Sequence, residues 1–178
     1  KMDILGTYGE WMKRPDDQRF LSVQALFDHV KARRGRSTQE ELALDLMRFD
    51  GNDRDVLLCD ERNGTTVPFT HFSFSQICSS TGLNFSAKEL RKLKYPKMAA
   101  AVLQRMATLA PRKNVKSLQT GTDNGGQVVR AVTSATYGRI WDEEIVKAVL
   151  DNVDLDRWKV PYASYASQNP KLASTLYA

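Results

Sequence analysis

The stretch NVKSLQTGTDNGGQVVRAVTSATYGRI, residues 114–140, does most to limit what this chain can fold into. Apolar and polar residues alternate on both sides of GTDNGG, and a glycine-rich cluster of that kind cannot sit inside a helix or strand. The pattern therefore predicts two antiparallel strands joined by a turn. GTDNGG also has enough glycine to suggest a phosphate loop. It leads into a strand instead of a helix, so it lacks the helix N-terminus on which such loops rely, and it is read as a turn.

The other segments supply a second hairpin and several helices. In DVLLCDERNGTTVPF an apolar run meets Asn63-Gly64 and returns through Thr65 to Val67, a second hairpin. Upstream, Pro15, Asp16 and Asp17 form a turn, and Ser22 caps a helix with Val23, Leu26, Phe27 and Val30 at helical spacing. Gly35 stops that helix. Leu42, Leu44 and Leu46 alternate and suggest a strand, although TQEELALDLM also fits a helix. A short helix begins at Thr70 or Ser73 and closes at Gly82. Ser86 and Glu89 have the spacing of a capping box. Pro96 opens a helix on which Met98, Val102, Met106 and Leu109 form the expected buried stripe, with Pro111 ending it. DEEIVKAVLDNV is a helix with acids in its first turn, and the tail DRWKVPYASYASQNPKLASTLYA is aromatic and irregular.

Strands and helices alternate in runs, without a regular βαβ rhythm. The expected class is α+β, with a mostly antiparallel sheet built from hairpins and packed helices. At 178 residues, with 42% apolar and 26% charged, the chain has the size and composition of one globular domain spanning 1–178. It contains no apolar run of 18 residues, so no membrane span is expected. KMDILGTYGEW lacks a charged head followed by an apolar core and does not read as a secretory signal. Cys59 and Cys78 are too few for a disulfide framework or a zinc site and are expected to be free thiols in a reducing cytoplasm.

Catalytic patterns are scarce. His29 and His71 have no further ligand at metal spacing and are expected to be structural. There is no nucleophile elbow and no lysine-bearing phosphate loop. Carboxylate pairs occur at Asp16-Asp17, in the turn after Pro15, at Asp53/Asp55, at Asp60-Glu61 and at Asp142 to Glu144, the last explained by its helix terminus. Only Asp60-Glu61 offers a conceivable metal pair, and it would need acids from other elements. No cofactor is expected, and the chain is read as a non-enzyme.

Charge is unevenly distributed. Between Ser86 and Arg139 there are eleven Lys or Arg against two acids, a net charge of +9, whereas the remaining residues sum to −4. Concentrated positive charge attracts polyanions. The cations assigned to phosphate contact are Lys88, Arg91, Lys92, Lys94, Lys97, Arg112, Lys113, Lys116, Arg130 and Arg139. Tyr95, Tyr137 and Trp141 lie among them, and flat rings interleaved with cations are what sequence-tolerant single-strand binding requires.

Several segments together carry a resemblance: WMKRPDDQRFLSV, FTHFSFSQICSSTGL leading to LRKLKYPKMAAAVLQRM, VVRAVTSATYGRIWDEEIV and STLYA. In this order they resemble the phage and plasmid proteins of the domain-of-unknown-function 932 family, from about Trp11 to the end. VRAVTSATYGRI is the most specific part. The resemblance implies a mobile-element protein in the bacterial cytoplasm, cut short near Ala178, and it transfers no catalytic residue. The architecture is also similar to single-strand annealing proteins of the RecT and Redβ type, which act as rings or filaments. Self-association is therefore expected, with the aromatic tail from Trp158 to Tyr177 as its surface. Three functions follow in order of preference: a protein binding single-stranded DNA in recombination, annealing or replication; a host-interaction protein inhibiting a defence or repair factor; and a metal-dependent nuclease using Asp60 and Glu61.

Overall fold

A computed structural model describes residues 20, 22–60, 64–84, 86–93, 95–110, 113–122 and 124–154. The Pro15–Asp17 turn, Glu61, Lys94, Pro111, Arg112 and the Trp158–Tyr177 tail lie outside these residues. The chain divides into two compact units: the residues up to Arg34 together with those from Ile140, and the span Gly35–Arg139.

The described part of the first unit consists of two helices. Ser22 caps α1 (Val23–Gly35) as its sequence predicts, its hydroxyl accepting from the Ala25 amide at 3.0 Å. Helix α5 (Asp142–Asn152) carries three acids in its first turn. These acids satisfy the helix dipole and also pair with α1. Arg33 binds Asp142, while Arg34 reaches Glu143 at 3.0 Å and Glu144 at 3.2 Å. His29 packs its ring against Phe20, with centroids 4.9 Å apart.

The second unit is α+β with two three-stranded antiparallel sheets. The long hairpin forms as expected from β5 (Asn114–Gly121) and β6 (Gln127–Ser134). Its turn is closed by the Thr122 amide donating to the Gly126 carbonyl at 2.7 Å, with Gly125 at a φ of +79° that a side chain would resist. The strand β1 (Ser37–Ala43) adds to β5, giving the order β1-β5-β6. The second sheet, β2-β3-β4, combines β2 (Arg48–Gly51) with the expected hairpin of β3 (Val56–Asp60) and β4 (Thr65–Pro68). Helix α2 (His71–Ser80) begins at Thr70, whose hydroxyl accepts from the Ser73 amide. Helices α3 (Ala87–Lys92) and α4 (Pro96–Leu109) follow.

A bulge in the long hairpin sorts its side chains. The register shifts between Leu118 and Gln119, so that Leu118 faces Ala131 while Gln119 faces Val129 and Arg130 becomes the extra residue. Strict alternation would place Arg130 on the core face with Val132. The bulge instead puts Val129 and Val132 together in the core and leaves Arg130 exposed.

Three local expectations are corrected. The strand stops at Ala43, and Leu44–Leu46 form a 3-10 turn that buries Leu44 and leaves Leu46 65% exposed. The Leu44 amide donates to the Lys113 carbonyl, and the turn carries the chain from one sheet to the other. Ser86 makes no capping box: its φ of −96° and ψ of −10° are already helical and its hydroxyl accepts no bond from the helix's first amides, while Glu89 pairs with Lys92 instead of reaching back. On α4 the buried face is Ala99, Ala100, Leu103 and Ala107, while Met98, Val102 and Leu109 point outward. Three of these four buried residues are alanines, which lets the helix approach β2 closely. Its first residues press on Gly51, where an added Cβ would fall onto the Lys97 amide nitrogen and 2.7 Å from the Pro96 carbonyl oxygen.

One apolar core serves the second unit. Leu44, Met47, Leu58, Val67, Phe74, Ile77, Leu103, Val115, Val129 and Val132 lie within it. Buried Cys78 joins them, and burial pushes its thiol from 9.0 up to about 11, partly offset by the nearby Arg91 charge. Among the described residues no helix is long and apolar enough to cross a membrane.

Gly51→Ala is expected to cost about 1–3 kcal/mol, the usual range for forcing atoms into a packed contact, because both facing groups are backbone. The urea midpoint should fall with an unchanged m value. Cys78 should make stability fall with pH from about 9 to about 11, since the unfolded thiol ionises first while the folded one keeps its proton. The loss should be about 2 kcal/mol by the top of that window. Urea midpoints measured from pH 8 to 11 should decline more steeply for the parent protein than for Cys78→Ala.

Candidate nucleic-acid interface

The short helix α3 fixes where the basic segment points. Ala87 and Leu90 are buried, so Lys88, Glu89, Arg91 and Lys92 occupy its outer side. After Leu93 the chain turns into α4 through Tyr95 and Pro96, with Lys97 exposed beside them. The tyrosine is 68% exposed at the helix start.

Contact between Gly51 and the Pro96–Lys97 backbone sets the β2–β3 turn next to this corner. Asn52 builds that turn: its side-chain oxygen accepts from the amides of Arg54 at 2.8 Å and Asp55 at 2.7 Å. Its own amide donates to the Asp55 carbonyl. The backbone is thereby satisfied, and the Arg54 and Asp55 residues are left exposed.

Between turn and helices lies a half-open cavity of about 130 Å³. Arg54, Asp55, Val56 and Phe69 line one side, and Phe74, Leu90, Arg91, Leu93 and Pro96 complete it. The Arg91 guanidinium lies over the Phe74 ring, 4.8 Å from its centre, and donates to the Thr70 carbonyl at 2.7 Å. Partial burial lowers the Arg91 pKa, opposed by the Cys78 thiol and by the Asp55 carboxylate. The Thr70 hydroxyl also reaches toward the Arg130 carbonyl at 3.5 Å, which brings the bulge of β6 to the same neighbourhood.

The residues expected to contact phosphate and bases separate into groups. Lys88, Arg91, Lys92, Lys97 and Tyr95 share the α3–α4 corner, with Arg130 linked to it through Thr70. Lys92 is held at 3.1 Å by Glu89, an exposed pair of small energetic weight. Lys116, Tyr137 and Arg139 form a different group over the β1-β5-β6 sheet. There the Lys116 ammonium donates to the Tyr137 carbonyl, Arg139 donates to the Gln39 side chain at 2.9 Å, and the Arg139 guanidinium lies 5.9 Å from the Tyr137 ring centre. Lys113 is exposed just before β5. Trp141 belongs to the other compact unit, where the Arg34 guanidinium covers its ring at 4.9 Å, so its part is to join α1 to α5. Lys94 and Arg112 lie outside the described residues.

Arg54, Asp55, Phe69 and Phe74 were not among the residues singled out by sequence. GNDRD signals an exposed turn, but nothing local places that turn against a helix more than forty residues away. Asp60 ends β3, and among the described residues no group of three or more His, Cys, Asp or Glu gathers as a metal site. Compared with protein-family models, curated proteins and solved structures, the chain finds no match in any of the three.

Because Arg91 ties α3 to the start of α2, Arg91→Ala should destabilise by about 1–2 kcal/mol through loss of a charge-assisted hydrogen bond and a cation–π contact. Exposed Lys88→Ala should stay within about 0.5 kcal/mol of the parent. Paired urea titrations distinguish the tether from the solvated cation.

Proposed function

We propose that this chain is a non-enzymatic protein that binds single-stranded nucleic acid through the α3–α4 corner. The observation that carries the reading is the company Tyr95 keeps. A ring 68% exposed stands between Lys97 on its own helix and the cations of α3, with Glu89 the one acid on that helix. Exposed rings are costly to leave in water and offer a stacking surface to a base whose face is free. A duplex hides its base faces, so this combination favours single strands. Cations around the ring follow the phosphates, with a salt dependence set by how many they neutralise.

The resemblance to phage and plasmid proteins supports a mobile-element setting in a bacterial cytoplasm, with recombination, annealing or replication as the process served. Annealing proteins of the similar type self-associate, and a homo-oligomer is part of the proposal. A second reading, a host-protein partner, is favoured by the outward apolar stripe of Met98, Val102 and Leu109 on α4.

Fluorescence anisotropy with labelled single-stranded and duplex oligonucleotides over a salt series tests the reading. Single strands should bind more tightly, with log affinity falling linearly in log salt. Lys88→Glu/Lys97→Glu should lower affinity at least tenfold and flatten the salt slope, and Tyr95→Ala should cost about 1–3 kcal/mol. Absence of binding at low salt would overturn the proposal and turn attention to the α4 stripe as a protein-binding face.

A further inference from the structure

The cavity beside α3 has a wall composition that the interface alone does not require. Its apolar lining is aromatic and aliphatic, two arginines stand at it, and a single carboxylate, Asp55, faces them. A pocket for an anion alone would be better without the carboxylate, which repels phosphate. A pocket for an apolar group alone would not need two guanidinium groups. All three features suit a ligand that is flat, carries a negative charge at one end and offers a hydrogen-bond donor at the other.

We propose that this pocket receives one unpaired, amine-bearing nucleobase of the bound strand. The inference rests on the single-strand reading above and names the subsite that would give it base preference. Arg91 is already laid on Phe74 at 4.8 Å and fixed by its bond to the Thr70 carbonyl, so its plane is set before any ligand arrives. Bases stack on guanidinium planes as they do on aromatic rings. Prior fixing removes the entropy cost of ordering a long side chain on binding. The Arg54 side chain, on an exposed turn whose backbone is held by Asn52, is placed to meet the adjoining phosphate. Asp55, beside it, is an acceptor whose side chain meets no donor among the described residues. Carboxylates accept from the exocyclic amine of cytosine, whereas thymine presents a carbonyl at that position and would be repelled. Among the described residues the charged groups lining the cavity are Arg54, Asp55 and Arg91, and the oxygens of the Asp55 carboxylate are the acceptors offered there.

Two unstructured pyrimidine oligonucleotides isolate this subsite. Labelled dC and dT 12-mers have the same backbone and charge, so the phosphate contribution cancels in their ratio. At pH 7.5 the protein should bind the dC strand about five- to tenfold more tightly than the dT strand. Asp55→Ala should remove the preference and, by deleting a negative charge beside the phosphates, bind both strands at least as tightly as the parent binds dT. Asp55→Asn should also equalise them, since its amide can donate to thymine and accept from cytosine. Arg54→Ala should weaken both strands severalfold without changing their ratio. Unaltered thermal midpoints for the three exposed-turn variants confirm that the fold is intact. Equal affinity for the two strands in the parent protein, or a preference that survives both Asp55 variants, overturns the pocket while leaving single-strand binding in place. Failure of the parent protein to bind either strand at low salt overturns the underlying reading instead, and the pocket with it.

Discussion

The Val129 carbonyl holds the second unit together. It faces away from β5, at the sheet edge that would otherwise be open, and accepts from both the Thr70 amide and the Ser73 hydroxyl. The isolated bridge between Phe69 and Val129 and the Val132 amide bonded to Gln76 extend the seal along β6. An unprotected edge would invite pairing with another chain, and here the start of α2 covers it. The same contact positions everything that follows. Thr70 is at once the cap of α2, the partner of β6 and, through its own carbonyl, the acceptor for Arg91. One threonine thus connects the long hairpin to the basic helix, although 60 residues separate it from Arg130.

Features set by neighbouring residues were legible in the sequence. The two hairpins, the Ser22 cap, the Thr70 cap and Pro96 at the head of α4 each follow from chemistry within a few positions. The failures share a cause. Met98, Val102 and Leu109 make the more hydrophobic stripe of α4, and hydrophobicity alone sends them inward. The deciding factor is the close approach of the helix to β2, where Gly51 meets the Pro96–Lys97 backbone and Ala99, Ala100, Leu103 and Ala107 take the inner face. Pairing of β1 with β5 is likewise non-local, joining Ser37 to Thr120 and Ala43 to Asn114. Arg130 shows a subtler limit. Its charge places it at the surface, as found, but alternation with Val132 would turn it inward, and the bulge, which depends on how β6 meets β5, is what reconciles the two.

The basic segment has a similar history. Its net charge was visible from composition, but composition treats every cation alike. In the folded unit Arg91 and Arg139 are tied to carbonyls and rings, whereas Lys88 and Lys97 extend into solvent from neighbouring helices. Arginine suits tethering because its planar, forked guanidinium can stack and donate at once, and lysine suits a mobile phosphate contact because its charge is compact and strongly hydrated. On α3 the two types differ accordingly, Arg91 tethered and Lys88 solvated. Trp141 stands apart for a related reason: its ring is already covered by Arg34, and a covered ring has little face to offer a base.

Asp55 then becomes the informative residue at the corner. A surface selected only for positive potential would gain from its loss, and the turn does not need the side chain, because Asn52 satisfies the backbone through its own amide oxygen. Burial lowers the Arg91 pKa, and the charges of Cys78 and then Asp55 oppose that lowering. Charge on Arg91 is what makes its face attractive to a base and its edge attractive to a phosphate. An acid among cations can still serve the proposed binding, by accepting a donor that phosphate cannot supply. That role needs Asp55 and Arg91 at one cavity with the guanidinium already fixed on Phe74. The bond from Arg91 to the Thr70 carbonyl, and through it the seal on β6, holds the guanidinium there.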